Sequence, residues 1–460
     1  MTAVRLHAAE ALLPSGWARD VLLTWDGQGT FEDVAPGTPR PAGVPAAAGP
    51  VLPGMPNLHS HAFQRAFAGL AEVRASGDDS FWSWRDRMYR AAGAVTPESL
   101  EAIATWLFVE MLEGGYTSVC EFHYLHHDVD GRPYADPATL ALAVARAASR
   151  AGIGLTLLPV LYQHGGFGGA APSAGQRRFI HTTEALLALV ARLSGDTSIP
   201  RVGLALHSLR AVGPDAVRDA VQGMAGIDRT APIHIHVAEQ EREVEECLAW
   251  SGQRPVAWLV DHVPVSLRWC LVHATHISPE ETLLAAGAGA VAGLCPTTEA
   301  NLGDGVFPMD DWLDVGGRWG VGSDSHVTVN AAEELRLLEY SQRLTRRRRN
   351  LVATEACPHV ATALVQGAVS GGAAAAARPI GGLAQGQRAD FVVLDREHPV
   401  IAGLPAASAL DAHVFASHRQ SAIRDVTVGG RLVVSEGRHA LRDEAAAAFV
   451  AARAGLGLDR

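Results

Sequence analysis

Up to about residue 50 the chain alternates short apolar stretches with turn residues. Val21-Leu-Leu-Thr-Trp25 is one apolar run, and a Pro- and Ala-rich stretch from Pro36 to Pro53 follows it. This predicts a small β unit and a connector. From Val51 the pattern changes to short apolar runs separated by longer amphipathic segments, the signature of repeated βα units around a parallel sheet. Near Ala373–Ala377 the chain becomes Ala-rich, and Gly386–Asp395 and Asp425–Val434 then read as strands joined by turns, so the chain returns to a β unit. An Ala-rich helix is predicted over Asp443–Ala454, and there is no internal repeat of solenoid type.

A closed barrel and a doubly wound sheet both satisfy the central pattern. The barrel is favoured because run after run ends in polar, chemically capable residues. Val51–Leu58 leads into His59-Ser-His61, and Thr117-Ser-Val-Cys into Glu121-Phe-His123-Tyr124. Val202–Leu206 leads into His207-Ser-Leu-Arg210, Pro232–His236 into Val-Ala-Glu239, Cys270-Leu-Val into His273, and Trp319–Ser323 into Asp324. Barrels gather their chemistry at the carboxyl ends of several strands, whereas a doubly wound sheet concentrates it at one switch point.

At 460 residues the chain is long enough for a barrel-sized domain and a smaller accessory one, and 48% hydrophobic residues support a large interior. Nothing approaches the ~18 consecutive apolar residues of a membrane span. The N-terminus has no basic start followed by an apolar core, so a cytoplasmic protein is expected. Cys120, Cys247, Cys270, Cys295 and Cys357 are odd in number and unpaired in spacing, which predicts buried small hydrophobes and argues against disulfides or a thiolate zinc knuckle. The net charge of −11 disfavours nonspecific contact with nucleic acid or anionic membrane. All 38 basic residues are arginine. A lysine Schiff base, a P-loop lysine and a carboxylated-lysine bridge between two metals are thereby excluded.

His59 and His61 lie two apart at a predicted strand end, so both imidazoles project to one face and can bind one cation. His236 supplies another candidate ligand, with Glu239 three residues on as an acid/base group. His234 shares the face of His236 and stays open as the alternative; the spacing to Glu239 favours His236. Asp324 can bind the cation and accept a proton from water, and His273 can orient the attacking group or polarise the substrate. Nitrogen and oxygen donors without thiolate suit Zn²⁺ first, with Fe²⁺ or Mn²⁺ as substitutes. Such a cation lowers the pKa of bound water toward ~7.

In these residues the chain resembles the amidohydrolase superfamily: His59-X-His61 on the first strand, His236 on the fifth, His273 on the sixth and Asp324 on the eighth. Glu239, in His-Val-Ala-Glu, resembles the proton shuttle of the deaminase branch. That branch is similar in using one metal, which agrees with the missing lysine. Gly386-Gln-Arg-Ala-Asp-Phe-Val-Val-Leu resembles the superfamily's returning β-sandwich segment, so the likeness covers essentially the whole chain. It implies an α/β fold: a (β/α)8 TIM-like barrel over 54–375, with a small β-sandwich built from 1–53 and 376–460, the last carrying the terminal helix.

A narrower resemblance is to the iminohydrolases of bacterial histidine degradation, which release ammonia from N-formimino-L-glutamate. It rests on Asn57-Leu-His-Ser-His-Ala-Phe-Gln64-Arg-Ala, Ser80-Phe-Trp-Ser-Trp-Arg85-Asp-Arg-Met-Tyr, Glu121-Phe-His-Tyr124-Leu-His and His207-Ser-Leu-Arg210. The resemblance implies a pocket lined by Gln64, Arg85, Tyr124, His207 and Arg210. Guanidinium forks suit a substrate with two carboxylates. The partner expected is a small dicarboxylate rather than nucleic acid or membrane, and a homodimer is allowed. Arg346–Arg349 read as a solvated helix end. The competing readings are a purine- or pyrimidine-type deaminase, which the same metal and acid would serve, and a catalytically silent barrel scaffold.

Overall fold

The computed structural model describes residues 3–73, 81–417 and 421–458. The chain starts with β1 (Val4–Leu13), β2 (Gly16–Trp25), β3 (Phe31–Ala35) and β4 (Val51–Pro53). The barrel strands follow as β5 (Met55–Ser60), β6 (Tyr116–His123), β7 (Gly154–Leu161), β8 (Arg201–Val202), β9 (Leu204–Leu206), β10 (Ile233–Val237), β11 (Trp269–His273), β12 (Val291–Leu294) and β13 (Arg318–Val321). The chain then returns through β14 (Phe391–Leu394), β15 (Ile423–Val428), β16 (Arg431–Ser435) and β17 (Arg438–His439).

The barrel sheet runs β13-β12-β11-β10-β9-β7-β6-β5, with β8 a short extension pairing β7. All pairs are parallel. Every residue of β5, β6, β7, β10 and β11 is buried, as a sheet covered on both faces requires. The ring closes at the first and last strands, where Asp324 N–H donates to His59 O (3.0 Å) and His61 N–H to Asp324 O (3.3 Å). The seam of the barrel therefore runs through three of the candidate metal ligands.

The helices start where local chemistry dictates. The helix Pro97–Glu113 begins behind Thr96, which forms a reciprocal capping box with Ser99, and has Pro at its first position. The helix Pro279–Gly287 repeats the device with Ser278 and Glu281.

The two chain ends meet in a second sheet ordered β17-β16-β15-β14-β4-β1-β2-β3, antiparallel except where β1 pairs β4. β14 lies between β4 and β15, so the late segment is inserted beside the early one. Trp25, Phe31 and Phe391 pack together, with centroids 5.7–6.4 Å apart, and bind the two ends through one apolar cluster. The strand expected over Gly386–Asp395 is shorter, since only Phe391–Leu394 is paired as strand. The preceding residues make a turn in which Gly386 N–H donates to Phe31 O. The terminal helix spans Arg442–Gly455. Four cysteines are buried as expected; Cys357 is only half-buried, because it sits in the loop before the helix Val360–Ala376. No described helix is long and apolar enough to cross a membrane.

Candidate metal centre and active-site cavity

At the carboxyl end of the barrel the strand ends converge. His59 Nε2 lies 3.1 Å from His61 Nε2 and 3.0 Å from His236 Nε2. Asp324 Oδ1 lies 3.4 Å from the first of these and 3.3 Å from the second. Gly322 lets the last strand come this close: a Cβ there would stand 2.8 Å from the backbone of His59. All four side chains are buried. The Nδ1 atoms of His61 and His236 are each 2.9 Å from a backbone carbonyl, of Phe122 and of His207, and as N–H groups they donate to it. In the neutral rings this leaves the Nε2 lone pairs pointing at one another. Burial, the largest cause for each ring, lowers the pKa values of His59, His61 and His236, so the rings are held neutral. Neutral imidazoles with converging lone pairs repel unless a cation stands between them, and the set of three nitrogens and one carboxylate fits a divalent metal.

His234 does not join this group. It lies one pleat repeat deeper, and its Nε2 is 2.8 Å from Ala375 O, beneath the barrel floor. His236, and not His234, is the residue that groups with His59, His61 and Asp324.

His273 stands beside the four. Its Nδ1 is 3.2 Å from Glu299 Oε1, and its Nε2 is 3.7 Å from both Glu239 Oε1 and Asp324 Oδ2. Burial disfavours charge on this ring, but three carboxylates, Glu239 foremost, outweigh it and push the pKa up to about 10. Glu239 is buried too; burial raises its carboxyl to about 7, against the pull of His273 and Arg210. Ala238, His273, Ala274, Asp324 and His326 all have positive φ, between 44° and 67°. Non-glycine residues adopt this conformation at a cost of order 1–2 kcal/mol each, and such strain clusters at functional sites.

Above these groups lies a cavity of about 620 Å³ including its opening. His61, His236, Glu239, His273 and Asp324 form its floor, and Phe81, Trp84, Arg85 and Met88 of the helix Phe81–Ala94 cover it. All five pocket residues expected from sequence line it: Gln64, Arg85, Tyr124, His207 and Arg210. Gln64 Nε2 donates to Tyr124 Oη (2.9 Å), while Gln64 Oε1, Arg85 Nε and Arg210 Nε are buried without a hydrogen-bond partner. Arg85 stacks 4.5 Å from the Trp82 ring centre, and Arg210 Nη2 is 3.7 Å from Glu239. Ser80, quoted with this helix, lies outside the described residues. Glu121 is behind the floor, where its carboxylate accepts from Ser60 Oγ (2.5 Å) and Ala62 N–H (2.6 Å); neither it nor His123 lines the cavity.

The amidohydrolase family matches residues 51–433. The chain belongs to the amidohydrolase family. Within that family it is 53% identical to formimidoylglutamate deiminase of Pseudomonas aeruginosa, over 97% of this chain and 98% of the relative. Residues 1–43 match the domain described as formimidoylglutamate deiminase HutF, N-terminal domain. A solved amidohydrolase from Brucella melitensis superposes with a TM-score of 0.92 at 49% identity, covering 98% of this chain and 99% of that one. The chain is also 26% identical to the 5-methylthioadenosine/S-adenosylhomocysteine deaminase of Natronomonas pharaonis, over 84% of this chain and 81% of the relative.

Several residues of this amidohydrolase site escaped the sequence reading. Glu299 accepts from Cys295 N–H (2.8 Å) as well as contacting His273. Asp304 is buried near Glu239 and is pushed up to about 9, first by burial and then by that carboxylate. Tyr162 and His164 also line the cavity. Glu299 was findable, since it follows the seventh barrel strand, which with the third is one of two strand ends for which no polar residue had been singled out, and it lies in the helix Pro296–Leu302.

Proposed function

We propose that this amidohydrolase is a formimidoylglutamate deiminase, hydrolysing N-formimino-L-glutamate to N-formyl-L-glutamate and ammonia in histidine degradation. The observation that carries this reading is 53% identity along nearly the whole chain to a relative of that name. Two guanidinium groups in the cavity, that of Arg210 buried and that of Arg85 half-buried, supply the chemistry a dicarboxylate needs.

In this reading His59, His61, His236 and Asp324 hold one divalent cation, zinc by preference, with Fe²⁺ or Mn²⁺ as substitutes. When bound, it supplies Lewis-acid activation of water near neutral pH. Asp324 takes the proton of the attacking water. Glu239 delivers a proton to the nitrogen that leaves as ammonia, and His273 stabilises charge developing at the former amidine carbon. An amidine carbon is electrophilic when its nitrogen is protonated, so the acid at 239 matters as much as the base at 324. Arg85 and Arg210 pair with the two carboxylates, and Gln64, Tyr124 and His207 complete the pocket. The reading includes a cytoplasmic location, a homodimer as an allowed assembly, and domain limits at 1–53, 54–375 and 376–460.

The test is ammonia release from N-formimino-L-glutamate beside adenosine, guanine and cytosine, with metal content measured on the same sample. Turnover confined to the formimino diacid is expected. Metal-loaded protein that is faster on a nucleobase or nucleoside, or inert toward all four, overturns the proposal.

A further inference from the structure

At the opposite end of the barrel a second cavity, about 1190 Å³ including its opening, separates the strand starts from the outer sheet. Gly154 and Leu155 of β7 and Arg201 of β8 form its barrel side, and Val428 and Arg431 of the β15–β16 hairpin face them. Four arginines line it, Arg201, Arg378, Arg388 and Arg431, and no described lining residue is acidic. In a chain of net charge −11 such a concentration of positive charge runs against the average.

The guanidinium groups are seated rather than loosely extended. A Cβ at Gly154 would collide with the head of Arg378, and one at Gly429 with that of Arg388, so both glycines leave room that the arginines fill. Yet Arg201 Nε, Arg378 Nη1 and Arg388 Nε are buried without any hydrogen-bond acceptor. The existing contacts do not use them: Arg201 gives Nη1 to Asp228 (2.8 Å) and Nη2 to Thr230 Oγ1 (2.9 Å), and Arg388 gives Nη1 to Gln28 O (3.4 Å). Burial and the neighbouring Arg388 both disfavour charge on Arg378, and Asp390 is the main group offsetting them. A buried donor left unmatched is destabilising, so three around one cavity favour whatever brings acceptors to them.

We propose that this cavity binds a small multivalent anion bearing phosphate or carboxylate oxygens, which the arginines grip from both sides. The fork of a guanidinium matches either group in bidentate fashion. Its place at the amino ends of the strands, away from the catalytic face, separates it from the substrate site, and a ligand there ties the outer sheet to the barrel. The ligand binds the folded chain and raises its stability by mass action.

The experiment uses the full-length, metal-loaded protein, titrated with inorganic phosphate and with succinate against sodium chloride of matched ionic strength. Calorimetry gives the dissociation constant and thermal melting the shift. Arg210→Ala weakens anion binding in the active site, so binding that persists in this variant reports the second cavity. Arg431 is exposed, so Arg431→Glu tests the second cavity without loss of fold, and Arg388→Ala tests its wall. Phosphate, succinate or both should bind and raise Tm above the chloride control in wild type and in Arg210→Ala. Binding should weaken at least tenfold in Arg431→Glu and in Arg388→Ala. The stronger ligand of the two identifies the anion type. The proposal is overturned if neither anion exceeds chloride in Arg210→Ala, or if binding there is unchanged by Arg431→Glu.

Discussion

Replacing Glu239 by Gln keeps the size of the side chain and one oxygen that can face Arg210, but removes the group that carries a proton. The carboxylate stands 3.7 Å from His273 Nε2 and 3.7 Å from Arg210 Nη2, and it lies outside the group of four candidate ligands. Metal content should therefore stay at the wild-type level. General acid–base transfer contributes about 10²–10⁴ in rate, which at ~1.4 kcal/mol per decade raises the barrier by roughly 3–5 kcal/mol. The loss should fall on kcat, because the contact to Arg210 is long and its removal leaves that guanidinium free for substrate. The assay is steady-state ammonia release with metal measured by atomic emission on the same preparation. A kcat within about tenfold of wild type at full metal content would exclude the proton-transfer role. Parallel loss of metal and activity would instead make Glu239 part of the cation's support.

Further consequences can be checked separately. His61→Ala should lose metal and activity together, since it removes one of three converging nitrogens; retained metal stoichiometry would refute the ligand assignment. Arg210→Ala should raise KM by about 10–100-fold for the diacid, the scale of a charge-assisted hydrogen bond, and by much less for an analogue lacking one carboxylate. Equal losses for both compounds would show that Arg210 acts otherwise. His413 is buried, and burial lowers its pKa to about 4. A histidine depressed in the folded state binds its proton first in the unfolded chain, so its contribution is intact above pH ~6.5 and is lost as pH falls toward 4. His413→Gln should make the fall of stability over that window shallower by up to ~1.4 kcal/mol per pH unit, and an unchanged slope in denaturant melts would refute this.

Much of the architecture is legible along the chain because it is local. The change from short alternating runs to apolar runs followed by amphipathic segments marks where the outer sheet stops and the barrel begins. His59-X-His61 announces itself because a strand repeats every two residues, so its two rings must share a face. The absence of lysine is a fact of composition, and it alone removes a carboxylated-lysine bridge between two metals. Depth along the barrel axis is not local. His234 and His236 are equivalent by periodicity, and the folded barrel places one among the candidate ligands and sets the other against Ala375. Glu299 gains its importance from the short helix Pro296–Leu302 that brings it to His273, and the helix Phe81–Ala94 from the barrel mouth it covers. Arg201, Arg378, Arg388 and Arg431 look like scattered surface charges in sequence. They come to line one cavity because the sheet built from the two ends of the chain faces the strand starts of the barrel, and a contact between residues hundreds of positions apart is set by packing, which no window of sequence contains.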